Sequence, residues 1–360
     1  MAKLISGIQQ IGVGVKDLKT AWSWYIKAFG VDVRIFEDDT VAELMLPYTG
    51  GQPQQRHAAL ALNMQGGGGF EIWQYSKRTP LEPKFEIQLG DLGIFSAKIV
   101  CPDANKAFTH FKSIGAEVLG EVTTNPAGQK HLFVKDPFGN IFNVVENNQN
   151  WFNKPNEPTG ATFGAVIGSS DIDKALPVYK EILGFDTILF DGTEIFADFA
   201  SLPGGNRKFR RVILAHSQPR KGAFSKLLGN AQIELVQAIE GEEPRKIFQD
   251  RFWGDLGFIH LCFDISSMHD LEKECNEKGF PFTVNSNVKH NQDGSFDMGE
   301  AAGHFSYIED PDGTLIEFVE THKVPILKKF GIYLNLKKRN PEKPLPRWMV
   351  NMLGIQKVKI

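Results

Sequence analysis

The chain carries one unit four times over, and that periodicity restricts its fold more than any other feature. The segment DLKTAWSWYIKAFGVDV from Asp17 aligns with DIDKALPVYKEILGFDT from Asp171, an offset of 154 residues. Both read as amphipathic helices, with apolar Ala21, Trp24, Tyr25, Ala28 and Phe29 in one and Ala175, Val178, Tyr179, Ile182 and Leu183 in the other. An Asp suited to N-capping opens each, and a glycine suited to the C′ position, Gly30 or Gly184, closes it. The GDLG at Gly90 recurs at Gly254, and the short helices that follow end at Gly115 and Gly279, both 164 residues apart. KDPFGNIFNVVE at Lys135 matches EDPDGTLIEFVE at Glu309 with an offset of 174, so the fourth unit has gained about ten residues in the loop NVKHNQDGSFDMGEAAG. The units lie near 5–76, 91–148, 160–239 and 255–321, and each reads as a strand, a helix and three strands.

The predicted organisation is modules one and two in 1–148, a polar linker in 149–159, modules three and four in 160–322, and a C-terminal tail in 323–360. Hydrophobic content of 42% and charged content of 23% are those of a globular protein. No apolar run approaches the ~20 residues that span a bilayer, and MAKLISGIQQ has no signal-peptide core. Cys101, Cys262 and Cys275 form no CxxC pair, which fits a reducing compartment, so a cytoplasmic location is expected. A net charge of −3 gives no case for nucleic acid, although the tail holds ten Lys/Arg against Glu342 alone. That tail is expected to pack back on an acidic body through Trp348, Met349, Met352 and Leu353; the sharper alternative is a lid over an anionic substrate or contact with an acidic surface.

A strand ending Val15-Lys16-Asp17 before Ala21-x-x-Trp24-Tyr25, with DPxG turns at Asp136 and Asp310, resembles the vicinal oxygen chelate (glyoxalase/bleomycin-resistance/dioxygenase) superfamily in its four-module form. The resemblance covers roughly residues 5–321. It implies an α+β fold of four βαβββ modules paired into two cupped mixed sheets, with a divalent metal held by residues of first and last strands. Those positions are Gln10 and Glu71 in module one, Ser96 and Asn143 in two, Gly164 and Glu234 in three, and His260 and Glu317 in four. If neighbours pair, the better site is Glu234, His260 and Glu317. If modules one and four pair, Gln10, Glu71, His260 and Glu317 form a complete set for one Zn, Ni, Co, Mn or Fe ion. The crosswise arrangement gives four residues a purpose at once and is the expected one.

By resemblance, the reaction is that of a metal-dependent glyoxalase-like lyase or isomerase on a small oxygen-chelating substrate, through an enediolate-type intermediate. Glu317 is expected to act as mobile base and Glu71 to face it across the metal. The family's arginines for glutathione would fall at Gly14 and Leu256, which speaks against that substrate, unless Arg251 or Lys289 substitutes. The enlarged loop, with His290 and His304, is expected to shape a different pocket, His304 being the candidate substrate contact. Two alternatives stand: an extradiol-type or 2-oxo-acid dioxygenase, and a metal-free small-molecule binding or resistance protein. A monomer or homodimer is expected.

Overall fold

The computed structural model describes residues 3–149, 151–288, 296–297, 302–327 and 332–358. Module one comprises β1 (Leu4–Gly14), α1 (Leu18–Phe29), β2 (Val33–Ala42), β3 (Gln54–Leu62) and β4 (Gly69–Tyr75). Module two comprises β5 (Gly93–Cys101), α2 (Ala104–Ser113), β6 (Glu117–Thr124), β7 (Lys130–Lys135) and β8 (Ile141–Glu146). Module three has β9 (Thr162–Gly168), α3 (Ile172–Leu176), β10 (Thr187–Glu194), β11 (Phe209–Ala215), the single turn α4 (Ser225–Leu228) and β12 (Gln232–Ala238). Module four has β13 (Gly257–Ser266), α5 (Met268–Glu277), β14 (Val284–Asn285), β15 (Phe296–Asp297), β16 (Ala302–Glu309) and β17 (Leu315–Leu327). The tail adds β18 (Ile332–Asn335) and α6 (Arg347–Asn351).

Helix α1 starts where Asp17 accepts a hydrogen bond from the Thr20 amide and stops at Gly30, whose φ of 62° few other residues adopt. The matching helix of module three differs. Pro177 has no N–H, so after α3 the ladder widens to a π-type turn over Pro177–Ile182, and the Leu183 amide bonds the Val178 carbonyl.

The modules pair crosswise. One sheet runs β14-β16-β17-β13-β1-β4-β3-β2, with β15 and β18 attached, and joins modules four and one through antiparallel β13 and β1. The other runs β10-β11-β12-β9-β5-β8-β7-β6 and joins modules three and two through antiparallel β9 and β5. These are the two cupped mixed sheets expected. Each half of the chain lends one module to each sheet.

Sequence neighbours are tied differently, through the repeated motifs. The Tyr25 hydroxyl of module one donates to Asp136 Oδ2 in the DPFG turn of module two at 2.9 Å. The Tyr179 hydroxyl of module three donates to Asp310 Oδ2 in the DPDG turn of module four at 2.8 Å. One continuous apolar core holds Ile11 and Tyr25, Ile99 and Phe142, Ile167 and Tyr179, and Leu261 and Phe318, so all four modules share it. That core lies on the helix-covered faces, which leaves the concave faces for other work.

Spacing along β1 sets up one of those concave faces. Ile5, Ile8, Ile11 and Val13 are buried in the core, and the register with β13 shifts between Ile8 and Gln10. Gln9 is therefore an inserted residue, a β-bulge that lets Gln9 and Gln10 both serve the cup. The tail then crosses this cup. Its anchors are Leu345 and Val350, both buried, with Lys357 paired to Asp32 at 2.6 Å and the Val358 amide bonded to the Asp32 carbonyl. Packing back on the body thus rests on apolar anchors and on ion pairs that include Lys357–Asp32 and Glu342–Lys221, whereas Trp348, expected to dock, is 60% exposed. Among the described residues no helix is long and apolar enough to cross a membrane.

Candidate functional site

Four polar side chains converge in the cup of modules one and four. Gln10 on β1 donates through Nε2 to Glu71 Oε2 on β4 at 3.1 Å and to Glu317 Oε2 on β17 at 3.4 Å. His260 Nε2 on β13 lies 3.2 Å from Glu71 Oε2 and 3.0 Å from Glu317 Oε2. The donor atoms of Glu71, His260 and Glu317 all lie within 4.8 Å of one another, and all three residues are buried. Strand pairing explains the convergence: Gly12 sits opposite both His260 and Glu71, and Cys262 opposite both Gln10 and Glu317.

Three buried polar atoms of the cluster have no aligned hydrogen-bond partner: the acceptor Gln10 Oε1 and both ring nitrogens of His260. The carboxylate oxygens near Nε2 are close, but they do not lie along its N–H direction. Such orphaned atoms are costly in a protein interior unless something else satisfies them. A neutral imidazole, an amide oxygen and two carboxylates would suit a divalent transition metal, with charge balance and room for further ligands. The residues fit such an ion. Burial opposes the charged form of His260, but Glu317 and Glu71 outweigh it and raise the pKa to about 10.

Aromatic and thiol groups enclose this cluster. Trp253 stacks on His260 with ring centroids 6.2 Å apart, and Tyr307 meets the imidazole edge-on at 5.6 Å. Burial, reinforced by the Glu317 charge, pushes the Tyr307 phenol and the Cys262 thiol up, so both stay protonated beside that carboxylate. Nothing in the sequence marks Tyr307, Trp253 or Cys262 as site residues, because an aromatic or cysteine among apolar neighbours reads as core. An apolar cavity of about 130 Å³ adjoins the cluster. Its walls include Gln9, Leu60, which is the β3 partner of Glu71, and Thr321, two pleats beyond Glu317. Leu227 and Leu228 of α4 and Leu353 and Gln356 of the tail close it, and among the described residues no charged side chain lines it. Neither this cavity nor a larger one of about 430 Å³ beyond Trp253 is lined by any of the four convergent residues themselves.

The other candidates stand elsewhere. Glu234 belongs to the second sheet, so the set Glu234, His260 and Glu317 is not assembled. Glu234 instead pairs with Lys98 Nζ at 2.6 Å and with Arg211 Nε at 2.6 Å. Arg211 bonds Asp198, which lies 3.1 Å from His131, and His131 bonds Asn143. Burial works against the Glu234 charge, but Arg211 and Lys98 overcome it and bring its pKa down to about 2. The two cups correspond residue by residue. Gly164 and Lys98 pair in the second as Gln10 and Cys262 do in the first, and Ser96 pairs Val166 as His260 pairs Gly12. An ammonium, rather than an open site, faces the second cup's glutamate.

His304 is on β16, not in a loop, and its neighbours are Glu320 and His322 on the helix side of the sheet; it does not line the cup. Arg251 spends its guanidinium on the carbonyls of Ile247 and Leu256. Lys289 and His290 lie outside the described residues.

Residues 7–144 match the family model for the Glyoxalase/Bleomycin resistance protein/Dioxygenase superfamily. No curated protein matches the chain. Among solved structures, glyoxalase I from Zea mays shares 14% identity over 89% of this chain and 92% of its own, with a TM-score of 0.52. A point variant of the maize protein gives 13%, 89%, 94% and 0.54. A candidate dioxygenase from Bacillus subtilis shares 13% identity over 100% of this chain and 98% of its own, with a TM-score of 0.56. At these identities the likeness is one of fold.

Proposed function

Since residues 7–144 match the model of the glyoxalase/bleomycin resistance protein/dioxygenase superfamily and the later modules repeat their fold, we propose that this chain is a metal-dependent lyase or isomerase of the glyoxalase I type. One observation carries the reading. Gln10, Glu71, His260 and Glu317 converge in a buried cup, while Gln10 Oε1 and His260 Nε2 lack aligned partners. These four would hold one divalent ion, whose charge the two carboxylates balance. When bound, the ion supplies Lewis acidity that makes a C–H beside a chelated carbonyl easier to ionise.

The side chains do the rest. Glu317 takes the proton from that carbon, and Glu71, beyond His260, returns one to the neighbouring carbon. His260 keeps its place against Trp253 and Tyr307, whose rings exclude water from the reacting atoms. The apolar cavity beside the cluster favours a substrate that pairs two chelating oxygens with a small uncharged substituent. Glutathione is disfavoured: a Cβ at Gly14 would come within 2.0 Å of the Asp255 carbonyl oxygen, so no arginine fits there. A dioxygenase triad of two histidines and a carboxylate finds only His260 among the converging residues of this cup. The buried, unpaired cysteines favour work in a reducing compartment such as the cytoplasm.

The test combines metal analysis with exchange of the substrate C–H for solvent deuterium, using a panel of small 2-hydroxycarbonyl compounds. Purified protein is expected to hold one ion in this cup and to catalyse exchange. Glu317→Gln should retain measurable metal but lose exchange by at least ~100-fold. Protein without metal, or exchange unaffected by Glu317→Gln, would overturn the reading.

A further inference from the structure

Glu317 and Glu320 lie three residues apart on β17, so the alternation of a strand turns them to opposite faces of the sheet. Glu317 serves the cup. On the helix-packed face, Glu320 sits directly across from His304 on β16, and His322 follows two residues later on the same side. One donor atom from each of His304, Glu320 and His322 lies within 4.8 Å of the others. The two imidazoles meet at an interplanar angle of 69°, with centroids 4.6 Å apart. His322 is 2% exposed, with the half-buried His304 and Glu320 beside it.

The carboxylate is also held in place from behind. Glu320 Oε1 accepts the Ser267 amide at 2.6 Å, Oε2 accepts the Met268 amide at 3.4 Å, and Oε2 lies 3.3 Å from His322 Nε2. Backbone donors that orient a ligand carboxylate are the usual support of a metal site. Two imidazoles and one carboxylate suit zinc, iron, cobalt or nickel, and leave positions for water.

We propose that His304, Glu320 and His322 form a second divalent transition-metal site, separate from the cup and independent of the function proposed for it. Its role is to brace the departure of the tail. The Leu336 amide bonds the His322 carbonyl at 2.8 Å, and β18 pairs with β17 just beyond, from Lys323 onward. An ion there clamps β16 to β17 at the root of the segment whose Leu353 and Gln356 close the apolar cavity.

The test titrates cobalt(II) into chelator-stripped full-length protein and follows the absorption of the bound ion, with thermal melts as a check on folding. Wild type is expected to take up two equivalents. His322→Gln should weaken one of them by at least ~10-fold, while a Glu71→Gln/Glu317→Gln double variant keeps that one and loses the other. In the double variant, cobalt should slow proteolysis of the tail, and His322→Gln added to it should abolish that protection. If His322→Gln does not fold, His304→Gln, which alters a partly exposed ring, takes its place. Two unchanged equivalents in His322→Gln, or weak binding common to every variant, would overturn the proposal. If the double variant binds as wild type does while His322→Gln loses one equivalent, the cup reading falls and the outer site stands.

Discussion

Gly12 has no side chain because the His260 imidazole fills that space: a Cβ there would sit 2.4 Å from the ring Cε1. Gly12→Ala should therefore push the ring out of register and weaken metal binding by about 10- to 100-fold. Calorimetric titration would measure the loss, and a melting temperature close to wild type would separate it from unfolding. In the second cup, Glu234→Gln strips the partner from two buried cations and should cost about 3–5 kcal/mol in chemical denaturation. The pH dependence has a definite sign. The folded pKa of Glu234, about 2, lies below its ordinary 4.5, so its contribution is full above 4.5 and fades as pH falls through 2. Acid denaturation curves of wild type and Glu234→Gln should accordingly converge as the pH drops. Gln10, Glu71, His260 and Glu317 were legible as candidates, because each is polar inside an apolar strand and all four recur at one register. Lys98 carries the same signal in GIFSAKIVC, a charged residue inside an apolar strand, but an ammonium is not a metal ligand and so does not mark a site of that kind.

The tyrosine of each opening helix and the aspartate of each DPxG turn, met in the sequence as separate marks of a repeat, turn out to be partners. Their bonds tie module one to two and module three to four, between elements that share no sheet. Tyr25→Phe and Tyr179→Phe should each lower stability by about 1–3 kcal/mol, because each leaves a buried carboxyl short of a donor. Neither should alter metal content, which urea denaturation alongside metal analysis would check. Strand and helix positions were readable from alternation and capping residues, and Gly30 ends its helix as the sequence suggests. The π-type turn at Pro177 was not, because the likeness of the two helices lies in their side-chain pattern while the proline acts through its missing N–H. The bulge at Gln9 was also hidden: it depends on how β1 aligns with β13, about 250 residues away.

Pairing at the scale of the whole molecule could not be read from any one segment, since both pairings satisfy every local pattern. Crosswise closure makes the halves interdependent. Residues 1–148 alone would expose β1 without β13 and β5 without β9, two long central edges that invite association. That fragment should not give a folded monomer, whereas co-expression with residues 151–360 should yield a one-to-one complex; size-exclusion chromatography and circular dichroism would decide. Chain closure also sets the two cups apart in what can be taken from them. The positive charge that Glu234 faces is the chain's own Lys98, joined by covalent bonds, and no chelator can extract it. If the first cup holds an ion as proposed, metal starvation would empty it while the second sheet kept its architecture as a fixed reference. Scarcity would then silence the protein without denaturing it, and resupply would restore it with no need to refold.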